Sequence, residues 1–152
     1  MKQKQCKSAK ASTPRPSSKA ARNRMRAARQ RDTSAEMALR SALHRRGLRY
    51  RVDVSPLKGI RRRVDVVFGP AKVAIFVDGC FWHGCPIHGT WPKANAEFWR
   101  EKIERNKERD ADTNQRLEQA GWKVFRVWEH ENSEDAAEKI SKIIRERRAN
   151  SV

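Results

Sequence analysis

Charged residues occupy 35% of this 152-residue chain, so the places where a core can form are few, and two short apolar runs fix them. Val64–Phe68 and Val73–Val77 are separated by Gly69 and Pro70, and runs of this length between turn signals suit buried strands. Asp65 interrupts the first run. A carboxylate left unpaired inside a buried strand is costly, so Asp65 needs a metal ion, a cation or a solvent-facing strand end. Arg61, Arg62 and Arg63, just before it, offer ion pairing as the plain alternative.

The flanking segments are helical. Thr33 followed by Glu36 is a capping-box pattern that opens a helix with Leu39, Ala42 and Leu43 inward, and Gly47 ends it. Leu48–Val52 is expected as a strand, with a turn at Pro56 and Gly59. From Ala94 to Gln119 a helical stripe runs through Trp99, Ile103, Asn106, Asp110, Thr113 and Leu117, closed by Gly121. Trp122–Trp128 is expected as a strand, and Ala137, Ile140, Ile143 and Ile144 mark a last amphipathic helix. The order helix, three strands, helix, strand, helix predicts one α/β domain, which is also what the length allows.

The net charge of +17 points to a polyanionic partner, nucleic acid first. Residues 1–31 hold eleven of the 35 Lys and Arg and none of the 18 acids, leaving a net +6 on the rest. Residues 1–22, rich in Ser, Pro, Ala, Lys and Arg, are expected to be a disordered basic arm before a domain spanning 23–148. No run suits a membrane span or a secretory signal, and three cysteines suit a reducing compartment, so a cytoplasmic protein is expected. Cys6 stands alone in the arm.

Between the second apolar run and the long helix lies a loop, Asp78–Thr90, dense in Gly, Cys, His and aromatics. Cys80, Cys85 and His88 within nine residues suit a tetrahedral zinc ion, with His83 or His130 as the fourth ligand. Asp65 and Asp78, on adjoining strands, are the placement that holds Mg²⁺ against a phosphate. A histidine left over from the zinc set can transfer a proton near neutral pH. Asn106 and Asp110 break the apolar stripe one turn apart, which marks either a solvated face or a polar site. Glu36 is explained by its cap yet shares a face with Leu39 and Leu43. Phe81, Trp82, Trp91, Phe98 and Trp99 supply planar surfaces of the kind that stack on bases or wedge between them.

Val77-Asp-Gly-Cys-Phe-Trp-His-Gly-Cys-Pro-Ile-His88 resembles the very short patch repair endonucleases, a branch of the PD-(D/E)XK nuclease superfamily. The resemblance extends from Asn23-Arg-Met-Arg26 and Arg31-Asp-Thr-Ser-Ala-Glu36 through Val64-Asp-Val-Val67, Glu97–Ile103 and Asn106–Asp110 to Gly121–Phe125 and Val127-Trp-Glu-His130. It implies a restriction-endonuclease-like mixed β-sheet flanked by helices, with a structural zinc site. It places the catalytic Mg²⁺ ligand on Asp65, a main-chain carbonyl ligand on Val77, the catalytic histidine on His83 and supporting acids on Glu36 and Asp110. The zinc ligands fall on Cys80, Cys85, His88 and His130. The residues that wedge at the mismatch fall on Phe81, Trp82, Trp99 and Met25, with Asn106 also at the DNA. Val64 stands where the family has Pro, Asp78 where it often has His, and His130 where some members have Cys.

The implied function is to nick one strand 5′ to the thymine of a T:G mismatch, in repair of deaminated 5-methylcytosine, using Mg²⁺. Double-stranded DNA with that mismatch is the expected partner, other repair proteins being further candidates. A nucleoid-associated monomer, away from any membrane, is expected. The rivals are a restriction-type nuclease of the same superfamily, a non-catalytic zinc module that binds distorted DNA, and a basic ribosome-associated protein.

Overall fold

A computed structural model of the chain describes residues 18–20, 22–23, 32–80, 82–87 and 93–151. Residues 19–20 and 22–23 are helical, and after them three helices and four strands follow in the order α1 (Ser34–Arg45), β1 (Arg51–Val54), β2 (Val64–Phe68), β3 (Val73–Asp78), α2 (Ala96–Gln119), β4 (Lys123–Trp128) and α3 (Ser133–Ala149). The strands form one mixed sheet in the order β1-β2-β3-β4. The first three are antiparallel neighbours, and β4 lies parallel to β3 after the α2 crossover.

The ends of the elements follow from local chemistry. Thr33 Oγ1 accepts the Glu36 N–H at 3.3 Å, which opens α1. The helix closes where Gly47 N–H donates to His44 O and Leu48 N–H to Leu43 O. The strand expected at Leu48–Val52 begins only at Arg51, because Leu48 completes that helix end and the Tyr50 hydroxyl donates to Arg40 O at 2.9 Å. Asn95, in the left-handed region, starts α2 two residues later than expected, at Ala96. Trp122 likewise belongs to the close of α2, donating its N–H to Leu117 O, so β4 starts at Lys123. Asn132 caps α3 by accepting from the amides of Glu134 and Asp135. The Glu134 carboxylate then takes Arg45 and Arg46, tying the start of α3 to the end of α1.

The sheet is covered on both faces. Leu39 and Leu43 of α1 and Ile140 and Ile144 of α3 pack on Val66, Phe68, Val73 and Ile75, all of them fully buried. Ile143 is only partly buried, and Ala136 and Ser141 take more of the inner face than the sequence indicated. Emptying this layer at Ile140 by an Ala substitution would cost about 2–5 kcal/mol. On the opposite face Leu117 of α2 packs on Val64, Val67, Ala74 and Phe76. Toward its N-terminus the inner stripe of α2 turns polar, through Thr113, Asp110 and Asn106, and this part lies by the carboxyl ends of β3 and β4.

Candidate active site

Because β3 and β4 are parallel, with Asp78 opposite Trp128, the segments leaving their carboxyl ends start side by side. Two residues further on, Cys80 Sγ and His130 Nδ1 meet at 3.1 Å, and Cys85 Sγ lies 3.8 Å from the same nitrogen. Glu129 Oε1 accepts the Cys80 N–H at 2.9 Å, and Cys85 N–H closes the loop onto Cys80 O at 2.9 Å. The two thiols and the imidazole form a group able to hold a metal ion, with ligand atoms within 4.8 Å of one another. Burial, with the Cys85 thiol beside it, pushes the Cys80 thiol up to about 11, so its thiolate needs a cation to form. Of the four zinc ligands that the resemblance implies, the structure gathers these three, while His88 lies outside the described residues.

Asp65 sits where the β2–β3 ladder runs out. Its last register pair is Val66↔Ile75, and beyond it Asp65 Oδ2 accepts the Val77 N–H at 2.7 Å, replacing a strand carbonyl. Burial pushes this carboxyl up to about 6; the charges of Glu36 and Asp78 add to the rise, while the Val77 hydrogen bond and Arg40 oppose it. The alternative for Asp65, an ion pair with Arg61, Arg62 or Arg63, does not form. Arg63 pairs with Asp53, and Arg62 donates to Arg109 O and Thr113 Oγ1. Among the described residues no basic side chain forms an ion pair with Asp65.

The neighbouring acids differ. Glu36 is buried, and its Oε2 accepts from the Asp32 amide at 3.0 Å and from Arg40 Nη2 at 3.1 Å, so the reciprocal half of the capping box lands one residue early. Asp78 is held by Arg126, whose Nη1 lies 2.9 Å from Oδ1 and 3.1 Å from Oδ2. Burial raises the Asp78 pKa, and Arg126 limits the rise.

His83 completes the arrangement. Its Nδ1 lies 2.5 Å from Asp110 Oδ2, and its Nε2 faces Asp78 Oδ1 at 3.8 Å. Burial alone would lower the imidazole pKa, but the Asp110 hydrogen bond and the charges of Asp78 and Asp110 leave it raised. Both polar residues of the α2 stripe therefore face the loop rather than solvent: Asp110 takes His83, and Asn106 Nδ2 donates to Trp82 O at 2.9 Å. Trp82 meets Trp99 edge-on at 5.9 Å, Phe98 meets Trp99 at 5.2 Å, and Lys102 Nζ lies over all three rings. Trp99 is buried and Trp82 half-buried. Phe81, Trp91 and Met25 lie outside the described residues.

Three contributors escaped the sequence: Arg40, Arg126 and Glu129. Arg126 had a visible signal, a charge between Phe125 and Val127 in an otherwise apolar strand. Arg40 and Glu129 looked like ordinary surface charges.

The family model described as DNA mismatch endonuclease Vsr matches residues 16–88. A relative from Lentzea aerocolonigenes, "Type II nicking enzyme V.NaeI", is 51% identical over 114 residues, covering 74% of this chain and 69% of its own. "Type II nicking enzyme V.XorIIP" from Xanthomonas oryzae pv. oryzae is 40% identical, covering 72% and 79% of the two chains. "DNA mismatch endonuclease Vsr" from Escherichia coli (strain K12) is 43% identical, covering 69% and 66%.

Proposed function

The chain belongs to the Vsr family of DNA mismatch endonucleases and is a DNA endonuclease, a hydrolase, and from this we propose that it nicks one strand 5′ to the thymine of a T:G mismatch by Mg²⁺-dependent phosphodiester hydrolysis. The observation that carries the reading is the division of labour among four acids. Glu36 is paired with Arg40, Asp78 with Arg126 and Asp110 with His83, which leaves Asp65 with a single backbone donor and a carboxylate that burial makes hungry for a cation. Asp65, with the main-chain carbonyl of Val77, would hold Mg²⁺. When bound, the ion neutralises charge on the scissile phosphate and lowers the pKa of the attacking water.

His83 would transfer the proton. With Nδ1 committed to Asp110, only Nε2 is open to the reacting oxygens, and the raised pKa extends the protonated form of the ring to higher pH than a free imidazole keeps it. Glu36 and Asp110 support the site from α1 and α2 respectively. Cys80, Cys85 and His130 suit zinc by donor chemistry, two thiolates and an imidazole, and His88 would complete four protein ligands. Such a site supplies structure, since four protein ligands leave no position for water. Trp82 presents a ring at the loop, with Trp99 and Phe98 packed behind it and Asn106 holding its backbone, a suitable wedge where a mismatch lowers the unstacking cost. Phe81 and Met25 are proposed as further wedges.

Incubating the protein with T:G-mismatched and fully paired duplexes, with and without Mg²⁺, tests this. Mismatch-dependent, Mg²⁺-dependent nicking that Asp65→Ala abolishes while binding persists is the expected result. Cleavage of both duplexes alike would favour a restriction-type nuclease. Several relatives are named type II nicking enzymes, which supports a second reading in which nicking also depends on a particular flanking sequence. Varying the bases beside the mismatch separates the two.

A further inference from the structure

Asp78, His83 and Asp110 have the makeup of a cation site, with their ligand atoms within 4.8 Å of one another. A cation of the chain's own already lies among them. Arg126 Nη1 contacts both oxygens of Asp78, at 2.9 and 3.1 Å, and lies 3.6 Å from Asp110 Oδ1. Its Nη2 reaches the Asp110 carbonyl at 3.5 Å, and its Nε donates to Asn114 Oδ1 at 2.9 Å. The guanidinium carbon stands 4.3 Å from the centre of the Phe76 ring, which belongs to the residue paired with Arg126 across the β3–β4 ladder. Register, ring and amide therefore fix the orientation of the guanidinium.

We propose that Arg126 is the resident cation of this group, holding Asp78 and Asp110 in place, keeping a divalent ion off Asp78, His83 and Asp110, and so confining metal to Asp65 while Nε2 of His83 stays open. Arg126 acts as a positioning residue, through its neighbours rather than on the substrate, and the role rests on the function given to His83 above. A divalent ion entering the group has to displace a guanidinium about 3 Å from the carboxylate oxygens or sit against its positive charge, and both are unfavourable. Were it to enter, the imidazole nitrogen needed for proton transfer would become a ligand. A site with two places for one ion would also divide its metal between a productive and an unproductive position.

The test counts metal as well as cleavage. Mn²⁺ serves as the spectroscopic probe and is titrated into the full chain in its wild-type, Arg126→Met, Arg126→Lys and Arg126→Met/Asp78→Asn forms. Arg126→Gln, which keeps a polar group near Asn114 without the charge, is measured alongside in case the Met variant does not fold. The Met and Gln variants should each bind one Mn²⁺ more than wild type and nick about 10- to 100-fold more slowly in a single turnover, with duplex affinity unchanged. Arg126→Lys should keep the wild-type stoichiometry. The double variant should lose the extra ion and regain much of the rate. Wild-type stoichiometry in both uncharged variants overturns the proposal, as does an extra ion that persists in the double variant. A slow rate that follows only a lower melting temperature, with no ion gained, overturns it too. If the wild-type chain fails to cut a T:G duplex, the functional reading falls, and the Mn²⁺ counts still decide the role of Arg126.

Discussion

Asp65 holds its position against its own electrostatics. Its carboxyl stands at about 6 in the fold against 3.8 for a free side chain, so the native state binds the proton more tightly than the unfolded chain. The stability this confers is complete below about 3.8 and is lost as pH rises through about 6. Asn keeps an oxygen for the Val77 amide and removes the charge. Asp65→Asn should therefore abolish nicking yet stabilise the metal-free protein at pH 7 by roughly 1–3 kcal/mol, the gain vanishing below about pH 4. Thermal melts across that range in a chelator check it, and an unchanged melting temperature at pH 7 would refute the account of the burial. His83→Ala should slow nicking by about 10²-fold at least with zinc content intact, because the ring faces Asp110 rather than the thiols. Metal analysis of the variant would expose a wrong ligand set if zinc falls with it.

At the scale of elements, the site depends on how closely the loop after β3 can approach α2. Gly84, at φ +65, permits that approach: a Cβ there would lie 3.0 Å from Ile103 Cγ2 and 2.7 Å from Lys107 Cε. The lysine tip can move, but Ile103 is buried in the helix face and the backbone sits where side chains are strained. Gly84→Ala should destabilise the protein by about 1–2 kcal/mol and slow nicking more than that loss of stability explains, since it lifts His83 from Asp110. A fully active variant with an unchanged melt would mean the loop has slack that the packing does not suggest. The polar stretch of α2 follows the same logic. One helix face serves as core at Leu117 and as the wall of a polar site at Asp110 and Asn106, and the point of change lies where the sheet ends.

Across the whole molecule, the Cys80–Cys85–His130 group joins the loop after β3 to the segment after β4, residues 45 and 50 positions apart. An ion there would cross-link the fold, so His130→Ala should lower zinc content, melting temperature and nicking together, while His130→Cys should keep all three near wild type. A His130→Ala protein with full zinc and an unchanged melt would remove His130 from the set. The excess positive charge acts at the same scale. Deleting residues 1–22, which carry much of it, should weaken binding to all duplexes and flatten the salt dependence without changing mismatch preference, as phosphate contacts do. Filter binding at several salt concentrations on matched and mismatched DNA measures both effects.

The sequence by itself determined the elements, because each is set by signals a few residues apart: apolar runs of strand length between turn residues for β2 and β3, the Thr33 cap and Gly47 stop for α1, the stripe and Gly121 for α2. It also pointed to the carboxylates and thiols of the candidate site, since carboxylates in apolar strands and thiols in a tight loop are conspicuous wherever they fall, but not to Arg40, Arg126 or Glu129. What it left open was the assignment of partners. Asp65 and Asp78 look alike in sequence, each a carboxylate at an apolar run, and both were candidates for the same metal. The fold separates them. Parallel register with β4 brings Arg126 from 48 residues away onto Asp78, while the end of the antiparallel ladder gives Asp65 one backbone donor and, among the described residues, no ion pair. Those pairings depend on where the α2 crossover returns the chain, a long-range outcome of packing that local spacing does not encode.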